Sequence, residues 1–228
     1  MCYSIMVETN LKKLETLADA RVDVSAFDRF HASHQSEPKQ FRSIFENERV
    51  YPNYFSPIIV KRDQQTTIVP MRYRIRPEGS HDEIPNRFNL FNARIDALKS
   101  RNTWKPLYMK RHGLVVIKGF YEWVEDGGKK KVVYFSPQNE QLPYLVVPVI
   151  YDIWIAPDKS RGFASFALLT GNPPVSVSKA GHDRCPIILA KENWKSWLSP
   201  EDHSEAELMA LLEKSQARTA MKVIAAQP

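Results

Sequence analysis

The stretch GLVVIKGFYEW, Gly113 to Trp123, is an apolar run rich in β-branched residues that ends in an acid set between aromatics. Val115, Val116 and Ile117 favour a pleated, half-buried backbone, so the run reads as a buried strand. Asp126, Gly127 and Gly128 tolerate φ > 0, which predicts a tight hairpin and a return strand over Lys131–Ser136. The strand delivers Glu122 among Phe120, Tyr121 and Trp123, where a carboxylate loses water and becomes suited to proton transfer. The plain alternative is an outward-facing edge acid.

Working outward, Cys2–Val7 reads as a short strand and Thr9 or Asn10 as the cap of a helix that turns Leu11, Leu14, Leu17 and Ala18 to one face. His31 to Lys39 is polar and reads as exposed loop. Strands are expected at Pro57–Arg62 and Thr66–Ile75, around Asp63-Gln64-Gln65, with a loop from Arg76 to Pro85. Pro106 to His112 has helical character. Tyr144–Ile155 and Phe163–Thr170 read as further strands, followed by a short helix or turn to Lys179. A loop from Ala180 to Arg184 then runs into a strand at Cys185–Leu189. Helices are expected at Glu192–Leu198 and Ser204–Lys214. Short strands without regular strand–helix alternation argue for an α+β fold with a predominantly antiparallel, barrel-like core and peripheral helices.

A chain of 228 residues with 43% hydrophobic content can bury a substantial core and is expected to form one domain over 1–228. The most apolar stretch, Tyr144–Ala156, is broken by Pro148 and Asp152 and is too short for a bilayer span. With no secretory pattern at the N-terminus, a cytoplasmic location is expected, nucleoid-associated in a bacterium. Two cysteines, Cys2 and Cys185, make no disulfide framework and read as free thiols. A net charge of +6 permits a polyanionic partner without requiring one. Its distribution says more. Arg72, Arg74, Arg76, Arg94, Lys99, Lys105, Lys110 and Arg111 crowd the half leading into Glu122, interleaved with Tyr73, Trp104 and Tyr108. That pattern combines phosphate neutralisation with faces on which bases stack.

Removal of Met1 would place an α-amine and a thiol on adjacent carbons of Cys2, a pair that traps carbonyls. The amine has a pKa near about 7.7–8.0 and forms a Schiff base with an aldehyde. The thiol then closes on the imine carbon to give a thiazolidine. An incidental buried cysteine is the alternative. Asn92-Ala93-Arg94 and Gly181 to Pro186, with His182 and Arg184, are the other compact polar groups, and each taken singly also fits a structural role. His31-x-x-His34 lies in a polar segment without a CxxC or HExxH pattern, so no metal is expected. No glycine-rich phosphate loop is present, and no cofactor is expected.

Together, Met1-Cys2, Asn92-Ala93-Arg94, the segment Gly119 to Trp123 and the segment His182 to Pro186 resemble the SRAP family of SOS-response-associated peptidases, which act as abasic-site processing proteins. The resemblance covers residue 2 to about 198 in the same order and with similar spacing. It implies an SRAP-type fold and covalent capture of abasic sites in single-stranded DNA, with strand cleavage and crosslink reversal; a monomer is expected. It further implies Cys2 as nucleophile, Asn92 as its positioning residue, Glu122 as proton carrier and His182 as helper in sugar-ring opening and reversal. Arg94 and Arg184 would contact phosphates, and Arg74, Trp104 and Asn53 complete the expected DNA-binding set. Tyr3-Ser4 and Tyr73-Arg74 depart from the family pattern of Gly-Arg and Trp-Gly at those places, and Cys185 reads as a small buried filler. A cysteine-type peptidase using Cys2 and His182, or a nucleic-acid-binding module without chemistry, are the competing readings.

Overall fold

The computed structural model describes residues 2–43, 48–139, 141, 143–217 and 219–225. Strand β1 (Ser4–Val7) leads into helix α1 (Leu11–Ala18), where the Asn10 side chain accepts from the Lys13 amide at 3.1 Å and caps the first turn. Short strand β2 (Arg21–Val22) and helix α2 (Val24–Ser36) follow. This corrects the loop expected from His31: residues through Ser36 are helical. Asp23 caps the helix through the Ala26 amide at 2.9 Å, and Phe27 and Phe30 bury one side. The polar run that reads as loop is the solvent face of α2.

Strand β3 (Arg49–Val50) precedes the hairpin of β4 (Phe55–Arg62) and β5 (Gln65–Tyr73), whose tip residues Asp63 and Gln64 take φ of 47° and 63°. Positive φ at both positions matches the twist of the flanking strands. After β6 (Asn92–Arg94), residues 101–111 wind through successive tight turns instead of a regular helix, and His112 already opens β7 (His112–Asp126). Gly127 and Gly128, at φ of 58° and 78°, turn the chain into β8 (Lys129–Pro137), with Glu122 opposite Val133.

Strands β9 (Leu145–Ile155) and β10 (Gly162–Gly171) form the next hairpin, followed by α3 (Val175–Lys179) and β11 (Cys185–Pro186), the latter shorter than its sequence suggests. Helix α4 (Trp194–Leu198) precedes α5 (Glu205–Ser215), which opens on a reciprocal cap between Ser204 and Glu207. The last strand, β12 (Met221–Ala225), adds to β8 and lies beyond the elements expected from sequence.

Five strands close a ring: β4 pairs β5, β5 pairs β10, β10 pairs β9, β9 pairs β7 and β7 returns to β4. All are antiparallel except β5 with β10, where Ser165 and Phe166 align with Arg72 and Tyr73. The expected α+β architecture with a barrel-like core is therefore what forms. Alternation along the strands makes two cores. Ile58, Val69, Val115, Val147 and Phe166 fill one, within the ring, while Ile59, Ile68, Val116, Val146 and Ala167 face the other beneath the helices and turns. Both faces of β7 are thus covered, which explains an unbroken apolar run in place of an alternating one. Among the described residues, no helix is long and apolar enough to cross a membrane.

Candidate active site

Strand β7 places Phe120, Glu122 and Val124 on its covered side, while Trp123 remains 39% exposed. Glu122 is only 5% exposed. Its Oε1 accepts from the Trp123 amide at 3.0 Å, and its Oε2 lies 3.3 Å from His182 Nε2. Gly119, just before, permits close strand approach: a Cβ there would run into the Phe135 carbonyl and the Tyr134 ring.

His182 arrives from the loop between α3 and β11. Gly181, at φ 91°, supplies the left-handed turn that ends α3 and brings the imidazole back toward β7. His182 Nδ1 lies 3.0 Å from the Arg184 carbonyl and 3.3 Å from the Arg184 amide. An imidazolium bridges that carbonyl and the Glu122 carboxylate. A neutral Nε2–H ring donates to Glu122 and accepts the Arg184 amide at Nδ1. Either state supports proton exchange with Glu122.

Cys2 is carried in by β1. Ser4 pairs with Tyr121 of β7, and the Tyr3 amide donates to the Tyr121 carbonyl at 3.0 Å. The Cys2 carbonyl accepts two side-chain hydrogen bonds, from Tyr73 Oη at 3.0 Å and from Asn92 Nδ2 at 3.2 Å. Asn92 is held on β6 opposite Leu168 of β10, and its Oδ1 is buried without a hydrogen-bond partner. The Cys2 side chain is 2% exposed. Burial, reinforced by the Glu122 charge, holds its thiol well above the ordinary range, and the same causes together with the Cys2 charge raise the Tyr73 phenol. The thiol is therefore kept protonated at neutral pH. Cys185 packs in the same cluster, its thiol pushed up to about 12 by burial.

Cys2, Asn92, Glu122 and His182 thus converge, and Tyr73 joins them. Sequence reasoning assigned Tyr73 to base stacking, although its alternation with Arg72 and Arg74 already placed it on the opposite face of the chain. The expected DNA-binding residues are more scattered. Arg94 and Arg184 line one depression of about 380 Å³, where Arg94 makes a two-point pair with Asp96 and Arg184 approaches Asp183 at 3.5 Å. Asn53 adopts φ 76° and donates its amide to the Tyr73 carbonyl at 2.6 Å. Arg74 is 4% exposed and belongs to a buried arginine cluster.

Trp104 requires a correction. It is 0% exposed in the outer core, so neither face of its indole is open to a base. Tyr73 and Tyr108 are buried as well, and the interleaved aromatic pattern is a core pattern. Exposed rings lie elsewhere: Tyr3 and Trp123 meet edge to face at 6.2 Å on the outer side of β1 and β7. Single-sequence reading had no signal that ranked them above the buried aromatics. Among the described residues, no group of three His, Cys, Asp or Glu side chains could hold a metal ion.

Comparison with known proteins finds relatives across much of the chain. The chain is 25% identical over 194 residues to the abasic site processing protein HMCES of Gallus gallus, a match covering 72% of this chain and 57% of that protein. It is 26% identical over 163 residues to the abasic site processing protein YoqW of Bacillus subtilis, covering 70% of this chain and 69% of that protein. It therefore spans little more than half the length of the first relative. An X-ray structure of a Bacteroides thetaiotaomicron protein superposes with a TM-score of 0.75 at 20% identity, covering 99% of this chain and 92% of the other. A Bordetella bronchiseptica protein gives a TM-score of 0.65 at 15% identity over the full length of both chains. These likenesses establish the fold. The model of the family described as SOS response associated peptidase (SRAP) matches residues 1–227, and the chain belongs to the SRAP family.

Proposed function

We propose that this protein captures abasic sites in single-stranded DNA by forming a thiazolidine with Cys2 once Met1 has been removed, with strand cleavage and crosslink reversal as associated activities. The observation that carries the reading is the double hydrogen bond from Tyr73 and Asn92 to the Cys2 carbonyl, which holds Cys2 in the pocket that the Glu122–His182 pair also lines. The orphaned Asn92 Oδ1 is an acceptor suited to a free α-amine at Cys2.

A neutral thiol is a poor first nucleophile and a neutral α-amine condenses readily with an aldehyde, so the amine acts first. Its nitrogen adds to the aldehyde carbon of the ring-opened sugar, giving a carbinolamine. Glu122 takes the ammonium proton and returns one to the departing hydroxyl, and water leaves as the imine forms. The Cys2 sulfur then adds to the imine carbon while its proton passes to the nitrogen, closing the five-membered ring. If the imine loses its neighbouring C–H proton before closure, the 3′ phosphate departs and the strand is cut. Reversal runs the ring closure backwards, with His182 and Glu122 as proton donors. Arg94 and Arg184 serve as phosphate contacts from their shared depression.

The test is incubation with a labelled single strand carrying one abasic site, followed by denaturing electrophoresis. A heat-stable, slowly migrating adduct is expected, and none with a tetrahydrofuran analogue that lacks the aldehyde. Failure to form the adduct, or equal adduct on the analogue, would overturn the proposal.

A further inference from the structure

On the face of the β5 terminus opposite the Tyr73 ring, three arginines converge on one acid. Arg72 donates to both Glu83 oxygens, at 2.5 and 3.2 Å, Arg76 Nη1 donates at 3.4 Å and Arg74 Nη1 lies 3.7 Å away. The three arginines are 2%, 4% and 6% exposed in chain order. Buried charges are ordinarily matched or strongly hydrogen-bonded, and here one carboxylate faces three guanidinium groups. Arg72 Nε and Arg76 Nε are buried without hydrogen-bond partners. Burial first, and the charge of Arg72 in addition, lowers the pKa of Arg74 and Arg76 despite Glu83.

The cluster is backed by aromatic rings and borders a cavity. Arg76 stacks over the Trp154 ring at 3.5 Å and Arg72 over Phe163 at 4.5 Å. All three line a cavity of about 640 Å³ that Lys39, Arg42 and Arg161 also border. Arg161 is partly satisfied by Glu37 at 2.6 Å. Arg74 reaches this position with φ 108°, a backbone conformation that a side chain rarely adopts. The guanidinium groups engage Glu83 and, through Arg74 Nη2 and Arg76 Nη2, the Ile84 and His81 carbonyls, so one carboxylate offsets only part of their positive charge and a phosphate in the cavity would offset more.

We infer that this cavity is a phosphate-binding subsite. Its ligand is a phosphate group, either from the backbone of the strand whose abasic nucleotide enters the Cys2 pocket or from a free phosphate monoester. The DNA form of the inference rests on the function proposed above. A strand phosphate here would sit across the β5 backbone from the Tyr73 ring, whose hydroxyl binds the Cys2 carbonyl.

Arg74→Gly tests it, because glycine accepts the backbone conformation while the charge is removed. Arg42→Ala at the exposed rim is the second variant, with no buried group disturbed. Affinity for an undamaged single strand is measured by anisotropy across a salt series, and inorganic phosphate and a nucleoside monophosphate are tested for thermal stabilisation. Each lost strand contact should flatten the log–log salt slope by roughly 0.7. A flattened slope with Arg74→Gly supports the strand as source. An unchanged slope, with phosphate stabilising the parent protein but not Arg74→Gly, supports a free phosphate. Neither effect in either variant overturns the subsite and leaves the cluster a structural partner of Glu83. Adduct yield on abasic DNA is scored separately, so failure of Cys2 chemistry is distinguishable from failure of this site.

Discussion

Glu122 Oε2 and His182 Nε2 lie 3.3 Å apart, one residue on a barrel strand and the other on a loop that folds back behind Gly181. In the function proposed above, two ionisable groups in contact, both largely out of water, would let a proton be taken in one step and returned in another without waiting for solvent. The proposed reaction, which makes and later unmakes an imine, has that demand.

Glu122→Gln keeps the side-chain shape and removes the exchangeable proton. Adduct formation in single-turnover time courses should slow by roughly 10²–10⁴-fold, while DNA affinity stays near that of the parent. Equal rates would take Glu122 out of the proton path.

Cys2→Ala separates the two nucleophiles of residue 2. The α-amine survives, so an imine still forms and strand cleavage persists, but no ring can close over it. Little heat-stable adduct is expected, together with adduct trapped by borohydride. Stable adduct at the parent level would place the nucleophile elsewhere.

His112 sets an acid limit on stability. It is buried, stacked on Trp197 at 3.7 Å, and its Nδ1 contacts the Trp197 carbonyl at 2.8 Å. Burial lowers its pKa from 6.5 to about 4, against weaker opposing effects of that carbonyl and Glu201. The unfolded chain binds a proton at higher pH than the folded one does. The His112 contribution is therefore complete above pH 6.5 and is lost progressively as pH falls toward 4, a change of about 3 kcal/mol. Denaturant midpoints between pH 7 and 5 should fall accordingly, above the range where carboxylates titrate. His112→Gln should flatten that slope, and an equal slope in the variant would assign the effect to other groups.

Gly119→Ala should destabilise the fold by about 1–3 kcal/mol, since the added methyl meets the Phe135 carbonyl and the Tyr134 ring across the β7–β8 pair. Thermal melting measures this. An unchanged midpoint would mean that the hairpin spreads without cost.

Much of this was legible before any coordinates. The β7–β8 hairpin follows from β-branched residues and a Gly127-Gly128 turn, and the α5 start from Ser204 and Glu207, because these signals are local. Helix α2 was not legible: with only Phe27 and Phe30 fully buried, its polar face outweighs its apolar one. Cys2, Asn92, Glu122 and His182 were recognisable as a set of short motifs, whereas their convergence depends on long-range pairing that periodicity does not encode. Burial was the main blind spot. Trp104 and the three arginines near Tyr73 have the composition of a nucleic-acid surface, yet Trp104 is core and the arginines lie under the loop that carries Glu83.

Strand β1 pairs with β3 and with β7, and the Cys2 carbonyl is held by Tyr73 and Asn92. During synthesis the first residues of the chain therefore have no finished berth until Tyr121 has emerged. At about 5–20 residues per second that interval is on the order of 10 s. Through it residues 4–7 stay undocked, and the barrel closes only once β9 and β10 have followed β7. The topology thus sets an order of events: the Met1 removal that the proposed chemistry requires would have its opportunity before the pocket closes around Cys2.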